Sequence, residues 1–268
     1  MEEQENDRRS RRAPFPSAAT QVRAAAEDQA HAPRCRDKTV MKGAFEVEYA
    51  ELSHEITTGM QVYPDLPRPQ ITAIVNHEQS REFYQGKAEF YLGRIELAAN
   101  SATYIDSPFH RYPEAPDLSQ IPLADVAGLP GIVVDGRAGA DRAVTFDAEP
   151  SGLAGHAVLV RTGWDARWGT DAYWEPAPFL SAQALDLLVR SRPRLVGTDA
   201  WNIDDIFDPG RPAHSRLLAD GILIVENLCN LGALRAAAFR FFAIPLRIVG
   251  GASIPVRAFA ELETTSEA

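Results

Sequence analysis

Residues 100–110, "NSATYIDSPFH", carry an aspartate and a histidine four positions apart, Asp106 and His110, on either side of Pro108. Proline stiffens a turn, and stiffness serves a side chain that has to be aimed. A carboxylate and an imidazole aimed at one point can hold a divalent ion or move a proton. The same pattern also suits an Asp-capped turn whose histidine is incidental. A second stretch, "HSRLLADGILIVEN", sets His214 and Glu226 twelve apart, with Glu226 closing a continuous apolar run. A carboxylate at the end of a buried strand is costly unless it is paired or metal-bound. Asp106, His214 and Glu226 together would make a two-carboxylate, one-imidazole set, adequate for a divalent ion with open positions. In "GTDAWNIDD", Asp199 and Asp204 follow a strand end, a place where active sites of open α/β sheets gather and where turn formers are also common.

The elements that must position these residues follow from periodicity. "FEVEYAELS" alternates as a strand, and "RIELAANSATYID" begins as one. "GIVVDG", "HAVLVRTG", "PRLVGTDA" and "GILIVEN" are short apolar runs that suit buried strands. "SAQALDLLVRS" opens on a Ser N-cap before a helical apolar stripe, and "NLGALRAAAF" suggests a short helix. "RFFAIPLRIVG" and "PVRAFAEL" suggest closing strands. Strands first, then strands interleaved with helices, predict an α/β protein with a large sheet.

Length and charge narrow the function. The 268 residues are 45% hydrophobic and 24% charged, enough to bury a sizeable core. A formal net charge of −10 argues against nucleic acid or an anionic membrane as partner. No apolar run reaches the ~18 residues that span a bilayer. Two cysteines, Cys35 and Cys229, are too few for a disulfide framework and form no metal-type pair. Residues 1–42 are rich in Ala, Arg, Glu and Gln with one aromatic, Phe15, and are expected to be a disordered extension before a domain over 43–268. The "RRSRR" cluster lacks a following apolar segment, so an export signal is a poor reading. Patterned sequence begins at Met41, which suits a true start there and a cytoplasmic protein.

With these motifs in view, the chain resembles the bacterial kynurenine formamidase and cyclase superfamily, whose signature is HxGTHxDxPxH. Besides "NSATYIDSPFH", the blocks "ELSHEITTGMQVYP", "AVLVRTGW", "LVGTDAWNID", "HSRLLADGILIVENLCNL" and "FAIPLRIVGGASIPVRAFA" are similar to the family's blocks in order. The resemblance implies a single swivelling β/β/α domain with a large central sheet, assembled as a homodimer or homotetramer. In the family the first two signature histidines and the Asp bind one metal. That Asp, a downstream His and a Glu twelve residues on bind a second, and the last signature His is the acid/base. Carried over, Asp106, His214 and Glu226 are the metal ligands and His110 the acid/base. Asn100 and Tyr104 stand at the two other ligand positions, and Ala102 at the signature glycine. An Asn carbonyl is a weak ligand and a Tyr phenol must first lose a proton of pKa about 10.

The expected cofactor is therefore one divalent ion, zinc or manganese, with a metal-free pocket as the alternative. Two chemistries stay open. One is metal-assisted hydrolysis of an amide, lactam or lactone carbonyl in a small aromatic or polyketide-like molecule. The other is a metal-independent cyclase or dehydratase of specialised metabolism, with His110 and Tyr104 as acid/base and Asn100 as oxyanion donor. A homologue that binds a small molecule without turning it over is the third reading. Tyr63, Phe109 and Trp201 are candidate substrate contacts, because each stands beside a motif segment.

Overall fold

The computed structural model describes residues 40–42, 47–148, 150–234 and 238–263. Four of the predicted apolar runs form neighbouring parallel strands, Ala127–Asp135, Ala157–Arg161, Leu195–Thr198 and Leu223–Glu226. Side chains alternate across a strand, so each run feeds two cores. Ala157, Leu159, Leu195, Leu223 and Val225 face one core with Leu52, Ile105 and Phe241. Val158, Val160, Val196 and Ile224 face the other, under Leu185, Leu188, Leu217 and Leu218. Both faces are covered, which is why these runs read as continuously apolar.

Leu185 and Leu188 come from the helix Ala182–Ser191, capped as its sequence predicts: the Ser181 hydroxyl accepts from the Ala184 amide at 3.1 Å. Leu217 and Leu218 come from the helix Pro212–Ala219, whose proline sits in the first turn, where no amide donor is missed. The sheet continues to ten strands among the described residues. Tyr104–Asp106 pairs antiparallel with Leu223–Glu226, and Ser253–Pro255 pairs antiparallel with Tyr104–Asp106 on its other side. At the far end lie Phe239–Phe242, Phe259–Leu262, Glu48–Glu51 and Val40–Lys42. The α/β class and the large central sheet are as the sequence predicts.

Gly197 is a required glycine. A Cβ there would meet Leu228 at 2.6 Å and Leu159 at 2.8 Å, closer than real contacts come. Its absence lets the chain beyond Glu226 lie against the neighbouring strand.

"RIELAANSATYID" begins as a strand, as its alternation predicts: Leu92–Glu96 pairs with Gln70–Val75 in a separate two-stranded sheet, and Tyr104–Asp106 starts afresh after a turn. Two expectations need correction. "RFFAIPLRIVG" is a strand only over Phe239–Phe242, and Leu246 and Val249 beyond it are exposed; Pro245 has no amide to give a ladder. The boundary at residue 42 falls inside paired structure, because Val40–Lys42 is a strand against Glu48–Glu51. The rest of the expected extension, residues 1–39, lies outside the described residues. In "NLGALRAAAF" a single 3-10 turn spans Leu231–Leu234, and residues 235–237 also lie outside them.

His54 sits under this framework without a partner. Its ring stacks on Trp168 at 3.8 Å and 5°, and neither ring nitrogen has a hydrogen bond among the described residues. Burial pushes its pKa from the ordinary 6.5 to about 3. The folded state therefore binds fewer protons here than the unfolded chain between those two values. The resulting stability is fully present above pH 6.5 and is lost as pH falls toward 3. His54→Phe keeps the stack and removes the titration. Denaturant unfolding at pH 7 and pH 5 should show the variant losing about 2 kcal/mol less than the wild type over that step. Equal losses would mean that His54 does not titrate in this way.

Candidate active site

Strand register assembles the site. Tyr104 lies opposite Glu226, Asp106 opposite Ile224, and Ser253 opposite Asp106. Opposed residues and residues two apart share a face, so Tyr104, Asp106, Glu226 and Ser253 all point to the side covered by Pro212–Ala219. That helix brings His214 down onto them. His214 Nε2 lies 3.7 Å from Asp106 Oδ2 and 3.7 Å from Glu226 Oε1. Its other nitrogen, Nδ1, is 2.6 Å from Asp204 Oδ2. Asp204 also accepts the amides of Ala213 at 2.6 Å and His214 at 3.0 Å, so one carboxylate anchors both the helix start and the imidazole.

Asp106 and Glu226 are fully buried, and Asp204 and His214 nearly so. Glu226 accepts from the Ile203 amide at 2.7 Å and from the Tyr104 hydroxyl. Asp106 accepts from the Ser253 hydroxyl through Oδ1, while Oδ2 has no hydrogen-bond partner among the described residues. Burial pushes Glu226 up to about 7, against the pull of His214. Burial alone would lower His214, yet Glu226, Asp106 and Asp204 outweigh it and hold the imidazole up to about 10. Tyr104 is driven well above the usual phenol range, first by burial and then by Glu226 and Asp106. It is a neutral hydrogen-bond donor here, not a phenolate ligand.

His110 stands at the edge of this cluster, its side chain one-third exposed. Its Nδ1 is 3.6 Å from Asp106 Oδ1 and 3.2 Å from Ser253 Oγ. The single Ser253 proton goes to Asp106, so the Ser253 oxygen is left to accept from His110 Nδ1–H. That arrangement turns His110 Nε2 away from Ser253. A cavity of about 300 Å³ opens over the cluster, walled in part by Tyr63, Asn100, Tyr104, His110 and His214.

Of the sequence candidates, Asn100, Tyr104, Asp106, His110, His214, Glu226 and Tyr63 come together. Trp201 stands one layer back, nearly buried, edge-on to Tyr63 at 5.2 Å and donating through its indole N–H to the Glu175 carbonyl. Phe109 does not line the cavity. Asp199 is kept busy elsewhere: it accepts the amides of Thr162 at 2.8 Å and Gly163 at 2.7 Å, and burial raises it to about 6. Ser253 and Asn227 carried no sequence signal as site residues. Asn227 has a left-handed backbone (φ 57) and ties Glu226 to the opposite loop, donating to the Ala102 carbonyl at 2.7 Å and accepting from Tyr173 at 2.7 Å. Ala102 is itself left-handed at φ 53, the conformation that a glycine at that signature position adopts freely.

Residues 50–205 match the protein family described as "Putative cyclase". The chain belongs to this cyclase family. A kynurenine formamidase of Salinibacter ruber is 27% identical over 210 residues, 78% of this chain and 94% of that protein. Two solved structures share the cyclase-family fold. An isatin hydrolase bound to the product analogue thioisatinate superposes with a TM-score of 0.67 at 22% identity, covering 82% of this chain and 94% of its own. A potential metal-dependent hydrolase with cyclase activity gives 0.61 at 24% identity, covering 82% and 100%.

The residues of this cyclase-family site fit a divalent ion. Three buried carboxylates surround one imidazole, which leaves negative charge in excess. Asp106 Oδ2 is a buried oxygen with no hydrogen bond among the described residues, its one charged neighbour being His214 Nε2 at 3.7 Å. Asp204 fixes Nδ1 of His214, so Nε2 is the nitrogen that would face an ion, as in carboxylate–histidine–metal relays. Asp106, His110 and His214 can each offer an atom within 4.8 Å of the others, so His110 stands close enough to join Asp106 and His214 as well. No described helix is long and apolar enough to cross a membrane. Asp204→Asn should weaken Mn²⁺ or Zn²⁺ binding about 10–100-fold, measured by competition with a chelating dye. Unchanged affinity would mean that Asp204 only caps the helix.

Proposed function

We propose that this cyclase-family protein is a metal-assisted hydrolase of the C–N bond in a small aromatic amide, formamide or lactam. The observation that carries the reading is the unpartnered, fully buried Asp106 Oδ2 beside His214 Nε2 and Glu226. The names of the relatives support it: a kynurenine formamidase and an isatin hydrolase. Asp106, His214 and Glu226 would hold one divalent ion, zinc or manganese. When bound, the ion supplies Lewis acidity toward a carbonyl oxygen and toward water.

The protein's own residues handle the protons. Hydrolysis adds water to the carbonyl carbon and breaks the C–N bond, so one proton leaves the water and one must reach the departing nitrogen. His110 Nε2 takes the first and returns the second, as Ser253 and Asp106 hold its Nδ1 side. Tyr63 offers an aromatic wall for a planar substrate. Asn100 borders the same cavity, its side chain hydrogen-bonded to Tyr104, and its amide would meet developing negative charge there.

Tyr104 and His110 line one cavity, the observation that favours the metal-independent cyclase as a second reading. Against it, the Tyr104 proton is committed to Glu226. Assembly into a homodimer or homotetramer in the cytoplasm belongs to the same proposal. It is supported by the exposed Ile71, Ile74 and Ile95 on the separate two-stranded sheet.

The test combines metal content with turnover. Protein purified without chelator should carry about one metal ion per chain by mass spectrometry, and Asp106→Asn should lose it. His110→Ala should keep the metal and lower kcat for an aryl formamide by about 10²–10⁴-fold. Metal near zero, with no hydrolysis after adding Mn²⁺ or Zn²⁺, would overturn the hydrolase in favour of the cyclase. Tight binding of aromatic amides without turnover would favour the non-catalytic reading.

A further inference from the structure

Two arginines complete the wall of the catalytic cavity, and nothing in the chemistry above uses them. Arg111 directly follows the acid/base His110, and Arg211 stands three residues before His214. Each is held in place by neutral groups. Arg111 donates through Nε to Ser215 Oγ at 3.0 Å and through Nη2 to the Gly210 carbonyl at 3.1 Å. Arg211 donates through Nη1 to Asn202 Oδ1 at 3.1 Å, and Asn202 is itself a cavity residue.

Neither arginine has an ion-pair partner among the described residues, although the chain carries 37 acidic side chains against 27 basic ones. The nearest carboxylates are committed. Asp204 serves His214 and the helix amides, and Asp205 pairs with Arg142 at 2.8 Å while feeling the Arg211 charge only at longer range. Nη1 of Arg111, and Nε and Nη2 of Arg211, have no hydrogen bond to the described chain. Arg211 also holds a left-handed backbone at φ 46, a conformation that the preceding Gly210 would adopt more freely. A strained residue with an unspent guanidinium beside a cavity is a functional signal.

We propose that Arg111 and Arg211 form a carboxylate-binding subsite, so that the substrate is an anionic aromatic amide rather than a neutral one. The inference rests on the hydrolase reading for its reaction, but not for its binding. A guanidinium fork matches a carboxylate in shape and charge. The 300 Å³ cavity and the Tyr63 wall suit a single ring bearing that carboxylate. The excess negative charge of the carboxylate cluster would repel such a substrate, and the two arginines in the cavity wall oppose that repulsion.

The experiment uses the full chain with 2-, 3- and 4-formamidobenzoate, each against its methyl ester. The wild type should favour at least one acid over its ester by about tenfold or more in kcat/KM, chiefly through KM. In Arg111→Met and Arg211→Met the acid-to-ester ratio should fall toward one, with part of it restored by Arg211→Lys. A ratio taken within one variant does not depend on how much of it folds. Acids and esters hydrolysed alike by the wild type would overturn the subsite and leave the hydrolase standing. If no formamide is hydrolysed, calorimetry with benzoate and benzamide decides. Benzoate bound tenfold more tightly, with the advantage lost in Arg211→Met, supports the subsite without the reaction. Equal binding of the two sinks it.

Discussion

Everything at this site depends on the burial of more negative than positive charge. Asp106, Glu226 and Asp204 are withdrawn from water around a single imidazole. An unpaired buried charge costs several kcal/mol, so a fold tolerates this only if each oxygen is answered. Most are: Asp204 by the helix amides, Glu226 by the Ile203 amide and Tyr104, Asp106 Oδ1 by Ser253. Asp106 Oδ2 is the oxygen left over. It marks the point at which the protein's own hydrogen-bond donors run out and a cation would fit.

The sheet makes that burial affordable by rigidity. The short strand Tyr104–Asp106 is gripped on both sides, by Leu223–Glu226 and by Ser253–Pro255, and both pairings are antiparallel. A slip of one residue would turn every side chain of the strand to the other face. Asn227 and Thr103 lock the register at the strand ends, since Thr103 Oγ1 donates to the Asn227 carbonyl and the Asn227 side chain donates to the Ala102 carbonyl. The left-handed conformation of Ala102 survives inside this clamp without a glycine. Local preference is overruled there by surrounding hydrogen bonds.

Legibility followed the range of the interactions. The four buried parallel strands and the capped helix were visible because burial on two faces and an N-cap leave local marks. Asp106 and His110 were visible as a carboxylate and an imidazole flanking Pro108, Glu226 as a carboxylate closing an apolar run twelve residues after His214, and their roles came from the family resemblance. Ser253 and Asn227 were not. A serine and an asparagine are ordinary residues until strand register sets them across from Asp106 and the Ala102 loop. Asp204 was seen, but a turn former and a histidine-orienting carboxylate look alike before the His214 ring is placed against it. The strand Leu92–Glu96 was legible as a strand, but alternation does not say which sheet a strand joins, and it pairs with Gln70–Val75 outside the central sheet.

Asn100 and Tyr104 can now be placed by the same charge argument. Relative to the HxGTHxDxPxH signature, two imidazoles are exchanged for an amide and a phenol, which removes the ligands that would hold a second cation. Emptying such a position by truncation would leave Glu226 Oε2 buried and bare, at a cost of about 1–3 kcal/mol or more for a charged group. Tyr104 instead reaches Glu226 with its hydroxyl, supplying a proton where the second metal would have supplied charge. Burial and the two neighbouring carboxylates keep that proton on the phenol. The exchange is therefore self-consistent: burial and the nearby carboxylates raise the phenol, and its hydroxyl satisfies Glu226 in turn. Under the proposed reading, such a site would take a cation at Asp106 Oδ2 and His214 Nε2 and present a hydrogen-bonded wall at the Tyr104 side.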